Sequence, residues 1–102
     1  MLIRVASPGR PAFQLRPGEG GISAFIPSLV DPPLTDGEIL ASFRRGSVLV
    51  HRAEAEVAAK GLQIIPIPGT DPLPLRLQQA HVEVRPGTSM TRRKFKESLQ
   101  EL

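Results

Sequence analysis

At 102 residues, with 40% apolar and 23% charged side chains, the chain has the composition of an ordinary globular domain and can bury one modest core. It contains no cysteine, which excludes disulfides, thiolate metal sites and cysteine nucleophiles, and its formal charge is +3. No run approaches the roughly 20 apolar residues that span a bilayer, and Met1 to Ala6 lacks the pattern of a signal peptide, so a single soluble domain over residues 1–102, in the cytoplasm and without a membrane partner, is expected. The charge excess lies entirely in the last stretch, where Arg85, Arg92, Arg93, Lys94 and Lys96 face only Glu97 and Glu101. Such an end suits phosphate-bearing ligands, RNA or an acidic partner, and equally a solvated helix face.

In chain order, Leu2 to Ala6 reads as a first strand, interrupted by Arg4 and closed by a Ser7-Pro-Gly turn. Pro11 to Arg16 predicts a brief second strand. The three glycines between Pro17 and Gly21 form a loop that feeds a strand from Ile22 to Ile26, with Ser23 and Phe25 on one face and Ile22, Ala24 and Ile26 on the other. Thr35 and Glu38 make a capping box, Leu34 and Ile39 a hydrophobic staple, and Gly46 a C-terminal cap. A helix over residues 36–45 follows, burying Ile39, Leu40 and Phe43. Ser47 to His51 is a valine-rich strand and Ala53 to Lys60 a short helix closed by Gly61. Leu62 to Ile67 is a strand that Pro66 assigns to an edge or a strand end. An irregular loop from Pro68 to Pro74 leads into the stretch from Leu75 to Gly87, which carries the last strand. Ser89 or Thr91 then caps a terminal helix with Phe95, Leu99 and Leu102 on one stripe. The class is α+β, with a small mixed or largely antiparallel sheet flanked by two or three helices.

Chemistry concentrates on the last strand. Ala80, Val82 and Val84 share one face by alternation, which sets His81 and Glu83 side by side on the other. An imidazole beside a carboxylate is a reactive pair, although the same alternation is the ordinary outer pattern of a sheet with one wet face. The glycines before Ser23 would let backbone approach a ligand while the hydroxyl hydrogen-bonds to it. That segment matches neither the phosphate loop nor the serine-hydrolase elbow. Arg4 either snorkels to water or offers a donor fork to a phosphate or carboxylate. His51, at a strand end, reads as a surface residue. Two histidines on separate strands without clustered carboxylates make no metal-ligand set.

Three segments together resemble a known family: Leu2-Ile-Arg-Val, Gly20-Gly-Ile-Ser-Ala-Phe and Leu77-Gln-Gln-Ala-His-Val-Glu-Val-Arg-Pro. In this order they are similar to small ADP-ribosyltransferase-like toxins, in particular effectors delivered between bacteria by type VI secretion. The resemblance implies a split sheet forming a cleft for NAD, a target inside the cell, and a cognate immunity protein or antitoxin. It implies that Arg4, Gly21, Ser23 and Phe25 hold the cofactor and that Ser23, His81 and Glu83 carry the chemistry. The sequence departs from classical transferases in placing Glu83 two residues beyond His81. Cleaving the nicotinamide–ribose bond passes through an oxocarbenium-like state, which a carboxylate stabilises. The alternative is a non-enzymatic module that binds a protein partner or RNA through the basic C-terminal helix; four phenylalanines without tyrosine or tryptophan offer few stacking platforms for RNA.

Overall fold

The computed structural model describes residues 1–102. Strand β1 (Leu2–Ala6) is followed by β2 (Ile22–Phe25), after which helices α1 (Asp36–Leu40), α2 (Glu54–Ala59), α3 (Leu75–Ala80) and α4 (Arg92–Gln100) alternate with strands β3 (Val48–Arg52), β4 (Gln63–Pro66) and β5 (His81–Arg85). All five strands join one sheet in the order β3-β1-β2-β5-β4, and every pairing is antiparallel. The α+β class therefore holds, with β2 in the middle and β5 interior beside it. Pro66, which cannot donate to a ladder, lies on the edge strand β4.

Alternation decides what each face of the sheet meets. One face presents Leu2, Ile22, Ala24, Val82 and Val84 to Val57 of α2 and to Phe95 and Leu99 of α4, with Phe13 and Leu15 completing the layer. Phe95 and Leu99 are fully buried. Each such burial contributes on the order of 1.5–3 kcal/mol. The opposite face is covered only in part, where Ile3 and Phe25 pack with Val30, Leu34, Ile39, Leu77 and Ala80.

Four expectations are corrected. Pro11 to Arg16 is not a strand: Phe13 and Leu15 are buried at period-two spacing, but the Ala12 carbonyl accepts the Arg4 side chain where a strand would place a neighbour's N–H. The helix after Thr35 ends at Leu40 and not at residue 45. Its cap forms as read, with the Thr35 hydroxyl accepting from the Glu38 N–H at 3.1 Å. Tight turns follow, which bring Phe43 edge-on to Phe25 with ring centres 5.9 Å apart. Leu75 to Ala80, expected to run into the last strand, is the helix α3. Ala80 consequently packs with Leu77 and Phe25 on the face opposite Val82 and Val84.

Candidate functional site

The sheet has a weak seam. β1 pairs with β3 through five residues and β2 with β5 through four, yet β1 and β2 meet only at Ile3 and Phe25. Beyond that pair the strands part, and the Arg4 side chain bridges them. Its Nε donates to the Ala12 carbonyl at 2.9 Å and its Nη1 to the Ser23 carbonyl at 2.7 Å. Burial lowers the Arg4 pKa, opposed by the charge of Glu19 and reinforced by that of Arg16. An arginine keeps its charge under such a shift.

A cleft of about 670 Å³ opens on the thinly covered face of this seam, a size typical of small-molecule sites, which span about 300–1,000 Å³. Its walls are Arg4 to Ser7 of β1 and the following turn, Ser23 and Phe25 of β2, His81 and Glu83 of β5, Phe43, Arg44 and Ser47, and the loop from Ile67 to Leu73. Strand register explains the convergence. Phe25 lies opposite His81 and Ser23 opposite Glu83, so Ser23 and His81 are diagonal neighbours, about 7–8 Å apart at Cα. The sequence candidates Arg4, Ser23, Phe25, His81 and Glu83 thus line a single cleft, whereas Gly21 does not line it. Gly21 acts one step back. A Cβ there would lie 3.0 Å from Glu83 Oε1 and 3.1 Å from the Val84 carbonyl oxygen, so the missing side chain gives the Glu83 carboxylate its room.

The hydrogen bonds set the chemical state of the pair on β5. His81 Nδ1 sits 2.6 Å from the Ile67 carbonyl oxygen. A carbonyl only accepts, so Nδ1 carries the proton and Nε2 is left for a ligand. The imidazole also stands edge-on to Phe25, with ring centres 5.8 Å apart. Glu83 Oε1 accepts from Arg85 at 3.0 Å, which leaves Oε2 free on a side chain that is 25% exposed. Ser23 is exposed, and its hydroxyl has no protein partner. Together these groups can accept a proton at Nε2, oppose a developing positive charge at the carboxylate and donate a hydroxyl hydrogen bond.

The loop opposite His81 is fixed by close backbone approach. The Gly69 N–H donates to the Gln78 carbonyl at 2.9 Å, and a Cβ on Gly69 would come within 3.1 Å of the Gln78 Cα. A glycine between prolines was the available signal for this contact. Phe43 and Arg44 also line the cleft, which their helix-like sequence conceals because the helix ends at Leu40, before them. His51 is exposed, with Nε2 3.1 Å from Asp36 Oδ2, away from the cleft. No group of three histidine, aspartate or glutamate side chains is placed to hold a metal ion, and no helix is long and apolar enough to cross a membrane.

Comparison of the chain with protein families, curated proteins and solved structures finds no match.

Proposed function

We propose that the cleft binds NAD and that the protein is a minimal ADP-ribosyltransferase-like bacterial toxin acting on a cytoplasmic target, held in check by a cognate immunity protein or antitoxin. The observation that carries this reading is the convergence of Arg4, Ser23, Phe25, His81 and Glu83 on one cleft at the split in the sheet. These residues fit a dinucleotide in kind: Phe43, half-buried against Phe25, offers apolar surface to a ring, and the second terminal nitrogen of Arg4 remains available to a phosphate. NAD would supply a glycosidic bond with a stable leaving group. Glu83 would stabilise positive charge at the ribose, and His81 Nε2 would take the proton of the acceptor. The basic helix is less suited to a rival role in nucleic-acid binding. Arg92 is engaged internally, donating to the carbonyls of Glu19 and Arg16, and Arg93 pairs with Glu97.

Expression in a bacterium tests the proposal. The wild-type protein should slow growth, and His81→Ala and Ser23→Ala, matched for soluble protein, should relieve it, while NAD raises the thermal midpoint of the wild type alone. Arg4→Ala is the weaker test because that side chain also bridges two strands. Equal growth of all cultures with no thermal response to NAD would reject the reading.

A further inference from the structure

A smaller concavity of about 100 Å³ adjoins the cleft, sharing Arg4 to Ser7 with it. Arg4, Arg10 and Arg16 line it, with Ser7, Ala12 and Gln14 between them. Its framework is the irregular segment from Arg10 to Glu19, which is nonetheless held at several points. The Arg4 Nε binds the Ala12 carbonyl, Phe13 and Leu15 are buried, and the Arg92 guanidinium spans the carbonyls of Arg16 and Glu19 at 2.9 and 2.7 Å. Glu19 closes the turn by accepting the Arg16 N–H at 2.8 Å. The backbone that carries Arg16 is therefore built.

The side chains around this concavity are not matched by protein acceptors. The Arg10 and Arg16 guanidinia form no hydrogen bond or ion pair, and one terminal nitrogen of Arg4 has no partner. Three guanidinia thus line one small polar hollow, and the Glu19 carboxylate, whose charge acts on Arg4, accepts the Arg16 N–H and hydrogen-bonds to none of the three. An oxyanion that takes several forked donors at once would satisfy them together. The hollow is of the size of one such group and too small for a nucleoside.

We infer that Arg4, Arg10 and Arg16 form a phosphate-binding pocket that adjoins the main cleft and shares Arg4 with it. It takes a single phosphoryl group through forked arginine donors. The inference does not rest on the NAD reading. The phosphate is either free or carried by a ligand whose remainder lies in the main cleft, since Arg4 lines both openings.

Titration calorimetry at low ionic strength with inorganic phosphate tests it. Wild-type protein should bind phosphate, Arg10→Gln/Arg16→Gln should weaken binding at least tenfold, and Arg10→Lys/Arg16→Lys should recover part of it, because lysine lacks the planar fork. Arg93→Gln/Lys96→Gln removes the same charge from α4 and should leave binding unchanged. Both arginines are exposed and unpartnered, so the unliganded variants should keep the wild-type thermal midpoint. Absence of phosphate binding, equal affinity in the glutamine variant, or equal loss in the α4 control would overturn the pocket. Parallel titration with NAD identifies the source. Matching losses for NAD and phosphate mean that the cleft ligand supplies the phosphate, whereas loss for phosphate alone means an independent anion. Phosphate binding without any NAD binding would sustain the pocket and reject the NAD proposal.

Discussion

The two faces of the sheet are made by the same strands and have opposite characters. Along β2 and β5, Ile22, Ala24, Val82 and Val84 are sealed beneath α2 and α4, while Ser23, His81 and Glu83, one residue away in each case, stand at an open cleft. The first face is packed throughout, whereas the second is packed around Ile3 and Phe25 and open where the reactive groups stand. The alternation of a strand allows this separation, because a side chain on the cleft face can change without leaving a void in the packed face.

The comparison breaks most visibly at Phe95, the largest fully buried side chain. Phe95→Ala should destabilise the fold by about 3–5 kcal/mol in urea denaturation, and a loss below about 1 kcal/mol would mean that the face beneath α2 and α4 is not the main source of stability. Gly21→Ala probes the boundary between the faces. Its new methyl would press on Glu83 Oε1 and the Val84 carbonyl, which should reduce stability by about 1–3 kcal/mol through overpacking. NAD binding should weaken at the same time, because Glu83 is displaced. Retention of both properties would show that the carboxylate has other room.

Thr35→Ala removes the cap of α1 on the cleft face and should lower stability by about 1 kcal/mol without changing ligand affinity. The smallest effect belongs to the pair that ties α3 to α1, where Arg76 Nε lies 2.7 Å from Glu38 Oε2. The Arg76 hydrogen bond, with help from its charge, holds the Glu38 carboxyl below the usual glutamate range against a smaller opposing effect of desolvation. A depressed carboxyl stabilises the fold above its unfolded pKa, about 4.3, and loses that contribution as pH falls through the lower folded value. Glu38→Gln should therefore flatten the acid limb of a thermal-midpoint profile below about pH 4.3. The pair is one-third exposed, so the change should be slight.

Where physics was local, the sequence was readable. Thr35 caps because its hydroxyl meets a donor three residues on, Pro66 marks an edge because it lacks an N–H, and Ser23, His81 and Glu83 share a face because strands alternate. Long-range partners decided the rest. Phe13 and Leu15 alternate like a strand, but no neighbour offers a ladder and Arg4 takes the Ala12 carbonyl. Leu75 and Leu77 also mimic a period of two, although six consecutive good helix formers after Pro74 were a signal for α3. Phe43 leaves the helical pattern to meet Phe25, a contact that local pattern does not contain.

The lone backbone pairing between β1 and β2 also bears on how the molecule comes apart. Cooperative opening units are bounded where few hydrogen bonds cross. The β3–β1 ribbon and the β2–β5–β4 ribbon are each continuous ladders, so amide-exchange protection should fall into two blocks divided at this seam. The divide runs through the Arg4 bridge, and a subglobal fluctuation there would part the two ribbons at the place where the two cavities adjoin.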